Sequence, residues 1–438
     1  MIYNSILIGV DEIWTKSEKV KNKLMKELYK IISNSIETNN ILVGRGRIFI
    51  FDYKEEWIYK LQKIFGIKTI YPAYKVKTDL EEIKLGSKLF FENFNGSFKV
   101  VTKRVWKDFK YNSLEVNKTI GEYLYKNFGL KIDLKNPDKI LYIEIHDFAT
   151  FLYDKVFYGP GGFPLGFQGK GILLFSGGID SSVAAYLIGK RGLDLDFLFV
   201  NIGGKSYLRY IYRIFNKLKE YFPNSKLYVY DFDIEKLFKV RKGYRQIIYK
   251  AVIYKIAEEF CKFKNYFCIV TGESLGQVST QTMYSIKCLD KIIDFTVFRP
   301  LLGFNKDEII SLSKSLGFYD YRAPEICEIE KHSKAKPNYE IFIEELNKLD
   351  INFKEEINKI YELNNLEENL EYRIDLPDKK NLIIVDVRNF DKITLEKDKK
   401  YLFICPTGIL AKKFYEKYKN EYNVYYLDIK TAKLLGYL

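Results

Sequence analysis

Residues 171–187 read GILLFSGGIDSSVAAYL, and the reading of this stretch decides the fold. Residues 171–175 are a short apolar run suited to a buried parallel strand. Ser176, Gly177, Gly178, Ile179, Asp180, Ser181 and Ser182 follow as a turn of small and polar residues, and a helix is expected over 183–188. Strand, glycine turn and helix together aim backbone N–H groups and a helix N-terminus at an anion. The paired glycines let the backbone approach that anion without a Cβ clash. The Ser176, Ser181 and Ser182 hydroxyls add donors. No Gly-Lys-Ser/Thr follows, which excludes a Walker A loop.

Downstream, strands are expected at 195–202, 226–232 and 266–270, alternating with helices at 207–221 and 243–263. This alternation predicts a doubly wound parallel sheet over residues 171–345. Ligands of such sheets sit outside the carboxyl ends of the strands. Asp180, Phe199, Val200 and Gly272 all fall at such ends. The last strand enters TGESLGQVSTQT (271–282), and RPLLGFNKDEII (299–310) follows, with Arg299 and Lys306 able to face phosphate or an RNA backbone.

Upstream, residues 3–10 read as a strand, 17–32 as a helix capped by Ser17, and 41–43 and 47–51 as strands. A second α/β unit follows, with a helix at 57–64, an alternating strand at 98–104, a helix at 112–125 with Ser113 near its start, and a strand at 141–145. Lys99, Lys103, Arg104, Lys107 and Lys110, beside Trp106 and Phe109, supply charge and stacking surface for RNA. The Gly/Pro-rich run 158–170 reads as a domain junction. Residues 346–380 form a charged helical stretch and linker. Strands at 381–387 and 401–404, the loop CPTGIL (405–410), a helix at 411–419 and a strand at 424–427 complete the chain. A cysteine at a helix N-terminus, as Cys405 is, has its thiolate favoured by the dipole and loop N–H groups. Pro406 removes one of those N–H groups.

The chain has 438 residues, enough for about two to four domains. Hydrophobic residues make up 47%, with 36 Tyr and 33 Phe, which excludes a disordered chain. No apolar run spans a bilayer and no signal peptide is evident, so a cytoplasmic protein with no membrane partner is expected. The net charge of +14 favours a polyanion such as RNA. Cys261, Cys268, Cys288, Cys327 and Cys405 are odd in number, which argues against a disulfide framework. His146 and His332 lie far apart and no zinc-type spacing exists, so no protein-built metal site is expected.

SGGIDS (176–181) resembles the PP-loop of the ATP pyrophosphatases. GVDEIWTKSEKV (9–20) resembles the opening of 4-thiouridine synthases, and FKVVTKRVWKDFKYNS (98–113) with Ile120-Gly121 resembles the RNA-binding THUMP domain. GPGGFPLGFQGKG (159–171) is similar to the connector of those enzymes, as are TGESLGQ and RPLLGFNKDEII to their later motifs. The Cys405 loop resembles that of rhodanese, although Thr407 stands where the more familiar loop has Arg. On these segments the chain is identified as a member of the tRNA uridine 4-sulfurtransferase (4-thiouridine synthase, ThiI) family.

The resemblance implies an α/β multidomain protein: ferredoxin-like domain 1–55, THUMP domain 56–158, PP-loop ATP pyrophosphatase domain 159–345, helical linker 346–380 and a truncated rhodanese-like domain 381–438. It implies ATP and Mg²⁺ as cofactors, and as partners tRNA and a cysteine desulfurase or other sulfur donor; it leaves a homodimer open. ATP contacts carry over to Leu174, Phe175, Ser176, Gly177, Gly178, Ser181, Phe199, Val200, Lys250, Gly272 and Gln281. Asp180 is the expected essential acid, Cys405 the persulfide carrier and Cys327 its partner in a transient disulfide. Asn305 stands where the family has Asp, putting a metal or salt-bridge role there in doubt. Cys261, Cys268 and Cys288 are expected in the core, and an iron–sulfur cluster on Cys327 with two of these stays open. Some members also supply sulfur for the thiazole of thiamine, a role the truncation argues against. Two alternatives are a tRNA-binding protein with an inactive nucleotide site and a PP-loop enzyme with another acceptor.

Overall fold

A computed structural model describes residues 2–13, 16–44, 46–324, 329–330, 332–365, 379, 381–392 and 394–438. The chain divides into two compact units, Met1–Phe167 with Lys190–Gly192, and Gln168–Gly189 with Leu193–Leu438.

The first unit is built on a nine-stranded sheet. In chain order its elements are β1 (Ser5–Val10), α1 (Glu18–Ile36), β2 (Ile41–Val43), β3 (Arg47–Ile50), α2 (Glu55–Leu61), β4 (Ile67–Val76), α3 (Leu80–Lys88), β5 (Ser97–Arg104), α4 (Ser113–Phe128), β6 (Lys131–Ile132), β7 (Lys139–Ile145), β8 (Thr150–Tyr153) and β9 (Phe157–Tyr158). The strand order is β2-β3-β1-β4-β8-β7-β5-β6, with β9 also on β4. The long strand β4 joins the two halves. Its Ile70 enters the core under α1 and α2, and Tyr74 and Val76 pack into the core under α3 and α4. Residues of equal parity share a face of a strand, so both helix pairs cover one face of a single sheet. The other face gathers Leu7, Phe49, Ala73, Phe151 and Tyr153.

The expectation of a boundary at 55/56 therefore meets a continuous sheet: Trp57, Ile58 and Leu61 pack with Ile6 and Leu28 in one core. Residues 158–167 of the junction also belong to the first unit, where Phe163 is 4% exposed in that same core.

The second unit carries β10 (Lys170–Leu174), α5 (Ile179–Gly189), β11 (Asp194–Asn201), α6 (Lys205–Leu218), β12 (Leu227–Asp231), α7 (Arg245–Lys264), β13 (Ile269–Val270), α8 (Met283–Ile292), β14 (Val297–Phe298), α9 (Lys306–Ser315), α10 (Tyr339–Asn347), α11 (Phe353–Glu356) and β15 (Tyr361–Glu362). Its sheet runs β14-β13-β10-β11-β12-β15, parallel throughout except for β15. The chain leaves β10 towards β11 and β12, then returns to β13 on the other side. β10 thus stands at the switch point, where such sheets open a crevice at their carboxyl edge.

The stretch 346–380, expected to be a linker, begins as part of this unit. Glu356 of α11 accepts a 2.6 Å bond from the Tyr230 hydroxyl, and β15 pairs antiparallel with β12. The C-terminal segment forms a three-stranded parallel sheet of β16 (Leu382–Asp386), β17 (Lys400–Cys405) and β18 (Asn423–Asp428), with α12 (Ile409–Tyr418) and α13 (Ile429–Leu434). Its Phe403, Leu410 and Phe414 enter the same apolar core as Phe232, Leu237 and Val240.

Candidate active site

Ser176, Gly177 and Gly178 connect β10 to α5 at the switch point. The hydroxyls of Ser181 and Ser182 do not face outward as free donors. They donate to the Gly178 carbonyl at 3.1 and 3.0 Å, and Ser176 Oγ lies 3.2 Å from Ser181 Oγ and accepts from the Gly178 N–H. These bonds brace the loop from inside. The first-turn N–H groups of a helix have no intrahelical partner, so those of α5 remain the natural anion donors.

Two glycines here are required by packing. Gly177 has φ +73°, and a Cβ on it would lie 2.5 Å from Ile211 Cδ1. A Cβ on Gly272 would lie 2.6 Å from the Ser181 nitrogen and 2.7 Å from the Asp180 carbonyl carbon. The loop after β13 therefore sits directly on the first turn of α5. Gly272 was expected to permit close approach of the nucleotide; what it permits here is close approach of two protein backbones. Leu174, Phe175, Phe199 and Val200 line the carboxyl ends through their backbones: the Phe175 N–H donates to Leu198 O at 2.8 Å, and Val200 O accepts from the Tyr249 hydroxyl at 2.8 Å.

Asp180 is the centre of the polar groups. Its carboxylate accepts from the Lys306 ammonium at 2.8 and 3.1 Å and from Gln277 Nε2 at 3.0 Å. Lys306 was expected to face RNA or phosphate; it faces the acid of the loop. Asn305 positions it. The Asn305 side chain accepts from the Glu308 N–H and the Glu308 carboxylate accepts from the Asn305 N–H, a capping box at the start of α9. Asn and Asp serve equally as N-caps, so Asn305 keeps a structural role that an aspartate would have. Gln277 was missed as a site residue. Its place in TGESLGQ was the available signal.

A second cluster lies on Glu273, which is 2% exposed. Lys250 pairs with it and also donates to Thr280 O at 3.3 Å. Arg299 Nε donates to Glu273 at 2.6 Å, the same guanidinium pairs with Asp290, and the Tyr254 hydroxyl donates at 2.6 Å. Burial opposes ionisation of Glu273, but Lys250, Tyr254 and Arg299 outweigh it and hold the carboxyl below its ordinary value. Burial and the Glu273 charge push the Tyr254 phenol well up. Lys250 and Arg299 are thus engaged within the protein rather than turned to phosphate or RNA. Gln281 is similarly half used, its Oε1 accepting from the Ser274 N–H at 3.2 Å.

The expected RNA-facing set divides. Arg104 donates to Phe109 O and Tyr111 O, and Trp106 and Phe109 pack into the core of α3 and α4, so they are not a stacking surface. Lys99 donates to Leu134 O, and Lys103 lies 3.6 Å from Glu144. Lys107 and Lys110 are exposed.

Cys405 ends β17, and its Sγ accepts from the Ala411 N–H in the first turn of α12 at 3.4 Å. The expected helix-terminus geometry is present, but the residue is 0% exposed. Cys327 lies outside the described residues. The chain enters its segment from Ala323, whose N–H bonds to Gly177 O at 2.8 Å, and from Pro324, whose carbonyl accepts from Tyr207. A Cβ on Gly203, beside Tyr207, would lie 3.0 Å from Ile409 Cγ2 of α12. Adjoining groups thus link the start of α12 to the glycine loop. Cys261, Cys268 and Cys288 are core residues, and burial pushes the Cys268 thiol up to about 11.

Among the described residues no group of three or more His, Cys, Asp and Glu could hold a metal ion, and no helix is long and apolar enough to cross a membrane. A concavity of about 620 Å³ in the first unit, lined by Tyr3, Tyr53, Pro72, Lys139 and Asp154, lacks the glycine loop and its acid. Chemistry rather than volume marks the site.

The family model described as "Thiamine biosynthesis protein (ThiI)" matches residues 166–352, and the model described as "THUMP domain" matches residues 77–154. A "Probable tRNA sulfurtransferase" of Saccharolobus islandicus is 33% identical over 354 residues, covering 78% of this chain and 94% of the relative. A protein of the same name from Caldanaerobacter subterraneus is 35% identical over 378 residues, covering 81% and 99%. A solved 4-thiouridine synthetase–RNA complex with bound ATP superposes with a TM-score of 0.73 at 26% identity, covering 83% of this chain and 100% of that one. The glycine loop at the switch point, the Asp180 cluster and these matches lead to one statement: the chain belongs to the tRNA sulfurtransferase (ThiI) family.

Proposed function

We propose that the protein is an ATP-dependent tRNA sulfurtransferase that converts the uridine at position 8 of tRNA to 4-thiouridine. The observation that carries the reading is the Asp180–Lys306–Gln277 cluster on a braced glycine loop at the switch point of the parallel sheet. ATP would lie along the carboxyl edge, with pyrophosphate on the N–H groups of α5. The uridine O4 attacks the α-phosphorus, the bond from that phosphorus to the bridging oxygen breaks, and pyrophosphate leaves. Asp180 and its partners fix the loop that receives the developing charge. Mg²⁺ bound with ATP would neutralise phosphate charge. The oxygen donors at Asp180 fit that hard cation, which takes few protein carboxylates alongside substrate phosphates.

In the second step a sulfur nucleophile adds at C4, the C4–O bond breaks and AMP leaves. The rhodanese-like reading of 381–438 makes Cys405 the persulfide carrier, loaded by a cysteine desulfurase or another sulfur donor in the cytoplasm. Attack of Cys327 on the Cys405 sulfur then frees the thiolated base and leaves a disulfide for an external thiol reductant. The Ala411 N–H on Cys405 Sγ supports this role. The test is nucleoside mass spectrometry of tRNA treated with ATP and either sulfide or a persulfide donor. Cys405→Ala should lose product with the persulfide donor and keep it with sulfide. Equal product from both proteins with the persulfide donor would remove Cys405 from the mechanism.

A further inference from the structure

Gln277 is held in one orientation. A carboxylate only accepts hydrogen bonds, so the group 3.0 Å from Asp180 must be the amide nitrogen of Gln277. Its carbonyl oxygen is thereby directed away from Asp180. That oxygen is buried and has no hydrogen-bond partner among the described residues. A buried acceptor left without a donor costs about 1–3 kcal/mol. Such a loss needs a reason in a loop where each of the three serine hydroxyls makes a hydrogen bond.

The neighbourhood supplies one. The oxygen belongs to the side chain that braces Asp180, and Asp180 already attracts a cation, the Lys306 ammonium. A neutral carbonyl oxygen and a carboxylate on one side chain contact are hard donors, the kind that bind a divalent cation also held by phosphates. A hydrogen-bond donor on the adenine would satisfy the oxygen too, but nothing directs the base to the phosphate loop, whereas a cation travels with the phosphates.

We propose that Gln277 is a bifunctional residue of the adenylation centre: its nitrogen positions Asp180, and its side-chain oxygen ligates the divalent cation that arrives with ATP. The inference rests on the adenylation reading above. The structure contains the protein side of this arrangement only, two oxygen-bearing side chains joined by one hydrogen bond. The phosphates complete the ligand set, which is why the protein alone gathers too few acidic groups for a site of its own.

The experiment measures Mn²⁺ binding by electron paramagnetic resonance, with α,β-methylene-ATP as the nucleotide, in the full chain and in Gln277→Met and Gln277→Glu. Nucleotide affinity in EDTA and thermal unfolding are measured beside it. Gln277→Met keeps the shape and removes the oxygen, so Mn²⁺ affinity should fall about 10-fold or more while nucleotide affinity in EDTA holds. Gln277→Glu keeps an oxygen and should bind Mn²⁺ at least as well as the wild type. Unchanged Mn²⁺ affinity in Gln277→Met overturns the proposal, and so does equal loss in both variants, which would mark a scaffold role alone. Wild-type protein labelled with carbon-13 at the glutamine side-chain carboxamide gives an independent readout. Bound Mn²⁺ should show electron–nuclear coupling to that carbon, and no coupling overturns direct ligation. A wild type that retains no nucleotide at all would instead sink the adenylation reading.

Discussion

Lys306 places its ammonium nitrogen 2.8 and 3.1 Å from the two carboxylate oxygens of Asp180, a residue 126 positions earlier in the chain. The pair joins the first turn of α5 to the first residue of α9. It charges the entrance of the anion loop on one side and holds the loop acid in a fixed position on the other.

Removing Lys306 leaves Asp180 as an uncompensated negative charge beside the expected phosphates. Lys306→Met should lower the rate of tRNA-dependent AMP formation about 100- to 1,000-fold, the usual cost of losing one group that stabilises charge in the transition state. Binding of tRNA, measured by filter retention, should hold. Wild-type turnover in this variant would show that the pair is only a surface ion bridge.

Gly272 tests the backbone contact beneath the loop. An alanine methyl would meet the Ser181 nitrogen and the Asp180 carbonyl carbon at under 3 Å, and neither is a flexible side-chain end. Gly272→Ala should cost about 1–3 kcal/mol in urea unfolding, the range for overpacking, and should abolish nucleotide binding. Gly303→Ala is the control, since nothing lies within 4 Å of its added carbon. Matching midpoints for the two variants would refute the contact.

The buried carboxylate of the first unit sets a pH limit. Glu144 is fully buried among Arg47 at 3.0 Å, His146 at 3.0 Å and Lys103. Burial would raise its value, but the His146 bond and the Arg47 charge win and hold it at about 2, against an ordinary 4.5. A lowered carboxylate contributes stability in full above its unfolded value and loses it as pH falls through the folded one. The contribution is therefore present above pH 4.5 and disappears towards pH 2. Glu144→Ala should cost about 3–5 kcal/mol at neutral pH by leaving Arg47 buried and unpaired. The gap from wild type, followed by denaturant titration, should narrow across that window; a constant gap would show that Glu144 is not ionised.

Burial of Cys405 predicts restricted thiol chemistry. α12 is held to the second unit by the Lys413 ammonium on Phe232 O at 2.9 Å, and by Lys417 and Tyr418 on Glu235 at 2.6 and 2.8 Å. Alkylation of Cys405 by iodoacetamide, followed by peptide mass spectrometry, should be slow in the native protein and fast in urea. Glu235→Ala should raise the native rate by loosening α12. Rapid native alkylation in the wild type would contradict the closed arrangement.

The parallel sheet, the glycine loop and Asp180 were legible because each has a local signature: apolar runs, paired glycines and one acid. Strand β4 was not, since Pro72 within IKTIYPAYKV argues against a central strand. Pro72 opposes Ile6 of β1 and falls between the segments paired with β9 and β8, where the second edge of β4 is unpaired. The partners of Lys250, Arg299 and Lys306 were hidden for another reason. A sequence gives a basic residue its charge but not its counter-ion, and Glu273 and Asp180 reach these three only once the strand ends converge. The burial of Trp106 and Phe109 is of the same kind, because α4 had to be placed before its face could claim them.

The most direct measurement is mass spectrometry of nucleosides from unmodified tRNA incubated with ATP, Mg²⁺ and sulfide, using wild-type protein and Asp180→Ala. The wild type should yield 4-thiouridine with AMP in matching amount, and Asp180→Ala should yield neither while still binding tRNA. Thiolated tRNA from Asp180→Ala at the wild-type rate, or none from the wild type, would contradict the account.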